Sequence, residues 1–151
     1  MVIAEMRYVV DTHTLIWFLE DNPKLGNNAK NVLSDPLSQL VMPAIALAEA
    51  ACTVEKGKAS IPSTSLLMEA VDSDPRLVIF PLTRSVVEKT LGLLSINEMH
   101  DRQIVAVALI LQDRGEEVRV LTCDQNITES GLQPLRGSST TGLVLPAPFR
   151  E

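Results

Sequence analysis

The stretch MRYVVDTHTLIWFL, residues 6–19, decides the fold. Its first five residues make a short, largely apolar run that ends at Asp11. Leu15, Ile16, Phe18 and Leu19 then recur at helical spacing. The pattern predicts a strand over 6–10 that passes through an acid directly into a helix over 12–19, with Asp11 or Thr12 near the N-cap. The same alternation continues along the chain. Asn-Pro and Gly-Asn signals over 22–27 mark a turn before a short helix at 28–33, and 39–42 reads as a strand stopped by Pro43. The Ala-rich run 44–56 favours helix, with Gly57 as its terminator. Pro62 opens a helix that runs through Val71, 77–80 is a strand before Pro81, and 83–94 is a helix. The segment 101–114 is the clearest helix, closed by Gly115, and apolar residues nearly encircle it, which predicts burial. A β-branched strand over 118–122 follows, with Asp124 just beyond it.

Strands separated by helices imply an α/β fold, a mostly parallel central sheet flanked by helices. No boundary interrupts it before Gly137, so residues 1–136 are expected to form one domain and 137–151 a C-terminal tail, from which 143–145 could add an edge strand.

Composition narrows the function. The chain has 151 residues, 46% of them hydrophobic, enough for one domain with a sizeable core and too apolar for intrinsic disorder. No run of eighteen apolar residues exists to span a bilayer, and Glu5 and Arg7 interrupt the only apolar N-terminal run, a poor signal peptide. Cys52 and Cys123 give no disulfide framework and no zinc spacing; both read as core residues of a reduced, cytoplasmic protein. The net charge of −6, from 13 basic against 19 acidic residues, argues against a module that grips nucleic acid through a basic surface. With one Trp, one Tyr and three Phe there is also little material for a base-stacking sheet.

An enzyme whose acids bind metal remains open. In α/β sheets ligands bind beyond the C-terminal ends of the strands, which directs attention to Asp11 and Asp124. Glu49 is the only charge between Leu40 and Val54, and Asp101 opens the most apolar helix. Buried carboxylates need partners, and nearby Lys and Arg are too few to pair all four. Hard divalent cations, Mg²⁺ or Mn²⁺, take such oxygen ligands, and a pair of them can activate water for phosphodiester cleavage. Without these four acids the formal charge would be −2 in place of −6, so bound metal would turn a site that repels phosphate into one that attracts it. Each Asp also has an ordinary reading: Asp11 and Asp101 as helix N-caps, Asp124 as a turn residue. Glu49 is the hardest to explain that way, because a surface-facing helix would carry more than one charge.

The segments YVVDTHTL (8–15), AIALAEAACTVEKGK (44–58), HDRQIVAVAL (100–109) and VLTCDQNI (120–127) resemble, in order, the four motifs of PIN-domain nucleases, including VapC-type toxins of toxin–antitoxin pairs. The resemblance spans roughly residues 6–132. It implies that Asp11, Glu49, Asp101 and Asp124 are the metal-binding, catalytic acids of a metal-dependent endoribonuclease leaving a 5′-phosphate and a 3′-hydroxyl. Thr12 and Thr122 match hydroxyl positions that orient a carboxylate or a water. Arg102 matches a basic residue that contacts phosphate or braces an acid. It further implies an RNA substrate, an antitoxin partner that occludes the cleft, and a homodimer. The strongly electropositive surface of some RNA-cutting relatives is absent here.

Two alternatives from other classes stay open: a PIN-like binding or regulatory module without catalysis, and a metal-dependent nucleotide phosphohydrolase. His13 reads as a surface or supporting residue. His100-Asp101 is the pairing used by all-helical HD phosphohydrolases, which the strands argue against. P-loop, Gly-x-Gly-x-x-Gly and Gly-x-Ser-x-Gly motifs are absent, and Asp11 opens no DxD phosphatase motif because His13 stands at the second position after it.

Overall fold

The computed structural model describes residues 6–122, together with the backbone of two short strands farther on, 133–134 and 142–144. Four strands, β1 (Met6–Val10), β2 (Gln39–Pro43), β3 (Leu77–Phe80) and β4 (Glu117–Leu121), run parallel. They alternate with helices α1 (Thr12–Leu19), α2 (Asn27–Ser34), α3 (Ala44–Glu55), α4 (Thr64–Asp72), α5 (Arg84–Thr90) and α6 (Met99–Asp113). Beyond β4 the sheet is completed antiparallel by β6 (Gly142–Val144) and then β5 (Gln133–Pro134), giving the order β3-β2-β1-β4-β6-β5. The strand expected as an edge from the C-terminal segment therefore lies inside the sheet, one residue earlier than predicted.

Burial follows the sheet's architecture. Strands covered on both faces read as continuous apolar runs rather than alternating ones, and Val9, Val10, Leu40, Val41, Met42, Val120 and Leu121 are all essentially inaccessible. Helix α6 contributes Ile104, Val105, Val107, Leu109 and Leu111 to the same core, as its encircling apolar pattern predicts.

Helix ends follow local chemistry and explain most boundary differences. Asp11, Ser63 and Thr83 each accept a hydrogen bond from the backbone N–H three residues on, so they cap α1, α4 and α5. Helix α4 consequently starts at Thr64, and Pro62 lies outside it. Helix α5 ends at Thr90, four residues earlier than expected. The Thr90 hydroxyl donates to the Val87 carbonyl, and the chain then folds through successive turns that bury Ile96. Helix α3 ends in a Schellman turn: Gly57 adopts φ +68°, its N–H donates to Val54 and that of Lys58 to Thr53.

Cys52 is exposed, where a core position was expected. Helix α3 buries Ala46, Ala50 and Val54, spaced by four, and Cys52 falls off that stripe.

Candidate active site

The chain leaves β1, builds β2 and β3 on one side, and returns to place β4 on the other, so β1 and β4 flank a topological switch point. Val10 pairs with Leu121, and the next residues, Asp11 and Thr122, stand side by side at the C-terminal edge of the sheet. The Asp11 N–H extends the ladder by donating to the Leu121 carbonyl at 3.2 Å.

The Asp11 carboxylate is 4% exposed. Its Oδ1 accepts from the Thr14 N–H at 3.0 Å, and its Oδ2 from the Thr122 hydroxyl. Thr14 is locked in turn by its own hydroxyl, which donates to the Leu121 carbonyl at 3.1 Å. Burial pushes the Asp11 carboxyl above its ordinary range, and the hydrogen bonds from Thr122 and Thr14, with the nearby His13, pull it only part of the way back.

Thr12, almost fully buried, bridges to α3: its hydroxyl lies 3.1 Å from the Ala46 carbonyl and 3.3 Å from Glu49 Oε2. Glu49 itself is not buried as expected, with a third of its side chain exposed. It sits beside the buried stripe of α3, on an outer face kept almost uncharged by Ala48 and Cys52, both exposed. One acid on an otherwise neutral exposed face looks, in sequence, like a buried one.

Asp101 is buried at 2% exposure. Helix α6 begins two residues before it, at Met99, with Glu98 at the cap position. Asp101 is thus in the first turn, where a negative charge meets the positive end of the helix dipole, and it is not the cap. His100 spans the gap between the acids, with Nδ1 3.5 Å from Glu49 Oε1 and Nε2 3.4 Å from Asp101 Oδ1. Contacts therefore link Asp11's neighbour Thr12 to Glu49, Glu49 to His100, and His100 to Asp101.

Arg102 turns its Nε to the Ile96 carbonyl at 2.6 Å, bracing the turn that precedes α6. Asp124 and Cys123 lie outside the described residues. Sequence reading missed Thr14 and His100 as site residues. Thr14 stands three residues after an N-cap Asp, the usual donor position, and His100 precedes the helix acid directly; both signals were present.

The donor set suits a hard cation. Among the described residues neither Asp11 nor Glu49 has a Lys or Arg ion partner. A carboxylate offers about four lone-pair sites, and Thr14 and Thr122 use two of those on Asp11. Among the described residues, however, no three of His, Cys, Asp and Glu stand close enough together to hold an ion unaided. In the same residues no helix is long and apolar enough to cross a membrane.

The fold is similar to the crystal structure of Mycobacterium tuberculosis VapC20, a sarcin-ricin loop cleaving toxin, with a TM-score of 0.59 at 14% identity over 82% of this chain and 95% of that one. No curated protein sequence matches. The PIN domain model matches residues 8–130, most of the chain and all three described acids, and the protein belongs to the PIN domain family.

Proposed function

We propose that the protein is a metal-dependent endoribonuclease that cleaves RNA phosphodiester bonds. The observation that carries this reading is Asp11: a carboxylate at the switch point of the sheet, buried, held by two hydrogen bonds and given no cation by the described protein. Asp11, Glu49 and Asp101, with Asp124 as the matching fourth acid of the family, would hold Mg²⁺ or Mn²⁺. Bound there, the cation would polarise an attacking water and offset charge on the phosphate and the leaving oxygen. Thr122 and Thr14 fix the Asp11 rotamer, and Thr12 holds Glu49 toward it. Products would carry a 5′-phosphate and a 3′-hydroxyl. The likeness to a toxin supports a further reading of the chain as the toxin of a toxin–antitoxin pair, with an antitoxin protein covering the cleft and a homodimer as the working unit.

The test is cleavage of end-labelled single-stranded RNA by purified protein with Mn²⁺ or Mg²⁺, against EDTA and the Asp11→Asn variant. Cutting that both controls abolish supports the nuclease. Metal-dependent hydrolysis of nucleotides with RNA left intact would replace it by a phosphohydrolase. Neither cutting nor metal binding would leave a binding module.

A further inference from the structure

One face of α1 carries the acid site, and the next opens on a polar groove of about 660 Å³, within the size range of small-ligand pockets. The groove runs from His13, the neighbour of Thr12, along α1 to Asn22 and Lys24. It is closed on the far side by Thr53 and by Lys58 and Ser60 of the segment after α3. Thr53 stands one helical turn beyond Glu49 and donates its hydroxyl to the Glu49 carbonyl, so the groove and the acids share a wall.

Three features of the lining point to one ligand chemistry. Trp17, the only tryptophan in the chain, packs partly on the core and partly lines the groove, with the His13 ring tilted 6.1 Å away. Lys24 holds its ammonium 5.9 Å above the Trp17 ring, and Lys58 is exposed on the opposite wall. The wall is fixed, because the Schellman turn at Gly57 sets the direction of Lys58 and the Ser60 N–H is held by the Glu20 carboxylate. Glu20 also lines the groove, but its carboxylate accepts from the Ser60 N–H, and an aromatic face flanked by two cations suits a nucleobase stacked on the ring with phosphates on the lysines.

We propose that this groove is a subsite for single-stranded RNA, where Trp17 stacks a nucleobase and Lys24 and Lys58 hold the phosphates flanking the nucleotide at the acids. It rests on the nuclease reading for the identity of the strand. Lys24 lies too close over the ring to leave room for a base beneath it, so its flexible stem swings aside to meet phosphate when RNA enters. The groove gives a protein without a broad basic surface a local way to hold the strand.

The experiment uses the full chain in EDTA, which withholds divalent metal, and follows the fluorescence of its sole tryptophan as a short single-stranded RNA is added. Saturable quenching is expected, weakening with salt. The double variant Lys24→Ala, Lys58→Ala, at two exposed positions, should bind at least tenfold more weakly and lose about 1.4 from the salt slope, at about 0.7 per phosphate contact. In metal its KM for RNA should rise by a similar factor with kcat held. Absence of quenching, an unchanged affinity and slope in the variant, or equal quenching by an oligoglutamate peptide would overturn the subsite. Wild-type cleavage with an unchanged KM in the variant would remove the subsite and leave the nuclease. Quenching lost in the variant, with no cleavage by the wild type, would keep the subsite and remove the nuclease.

Discussion

Replacing Asp11 by Asn removes a charge and keeps nearly everything else. Asn ranks with Asp as an N-cap, so its side-chain oxygen takes over the Thr14 N–H bond, and the Thr122 hydroxyl turns to accept from the new amide. What disappears is a buried carboxylate whose pKa is raised by burial. Burying the ion costs several kcal/mol. Two hydrogen bonds to a charged acceptor return about 1.5–3 kcal/mol each, and the start of α1 returns about 0.3–1 more. Because burial shifts the carboxyl upward, the cost exceeds these returns, and the metal-free variant should be the more stable of the two. In a domain of this size each kcal/mol gained raises Tm by about 2–4 °C. Metal should reverse the order: a cation at about a hundred times its Kd stabilises the wild type by about 2.7 kcal/mol, and the variant far less. Thermal unfolding of both proteins in EDTA and in Mn²⁺ measures all four states. A variant less stable than wild type in EDTA, or one stabilised equally by Mn²⁺, would refute the reasoning and leave Asp11 as a cap alone.

Asp101→Asn should likewise fold and lose both metal binding and cleavage, since α6 starts without it; an unfolded variant by circular dichroism would give Asp101 a structural role instead. Arg76 grips Asp74 through two nitrogens, at 3.1 and 2.9 Å, and also donates to the carbonyls of Leu33 and Asp35. Arg76→Ala should therefore cost about 2–4 kcal/mol, read as a lower urea midpoint at constant m. The Asp74 carboxyl is held below its ordinary 3.8 chiefly by the Arg76 side chain. Its contribution is present above pH 3.8 and fades as pH falls through the lower folded value, so the stability gap between wild type and Arg76→Ala should narrow in that window. A gap constant from pH 7 to pH 2 would exclude the ion pair as its source.

The alternation of strands and helices was legible because it rests on local signals: apolar runs, caps and terminating glycines. Strand β3 and helix α1 have the expected bounds, and β1 with Asp11 after it is as read. Helix starts were misplaced where a cap outranks a proline, as at Ser63, and one end was misplaced where a buried Ile96 draws the chain out of helix after Thr90. The pairing of β6 with β4 had no local signal, because it is set by a partner strand at least twenty residues away in sequence. Glu49 and Cys52 were misjudged for one reason: an Ala-rich helix hides which of its faces is covered, since alanine is at home on either.

In sequence, cap and ligand are competing roles for Asp11, and the geometry separates them by atom. Oδ1 takes the Thr14 N–H and starts α1, while Oδ2 faces Thr122 across the β1–β4 seam. A cap needs one lone pair, and a carboxylate has about four. The helix start thus fixes the side chain in a single orientation, and the charge left over is what a cation would find already aimed. Asp101 divides differently: it leaves the cap position to Glu98 and lies in the first turn of α6, where the helix dipole favours its charge. Each of these helix N-termini therefore carries a buried acid at little cost in local structure. Glu49, midway along α3, has neither cap nor dipole to favour it and is held by the Thr12 hydroxyl and His100. It is the acid whose position depends most on its neighbours. Thr12→Val should accordingly weaken metal binding without unfolding the protein, whereas unchanged Mn²⁺ affinity in that variant would show that Glu49 is placed by α3 alone.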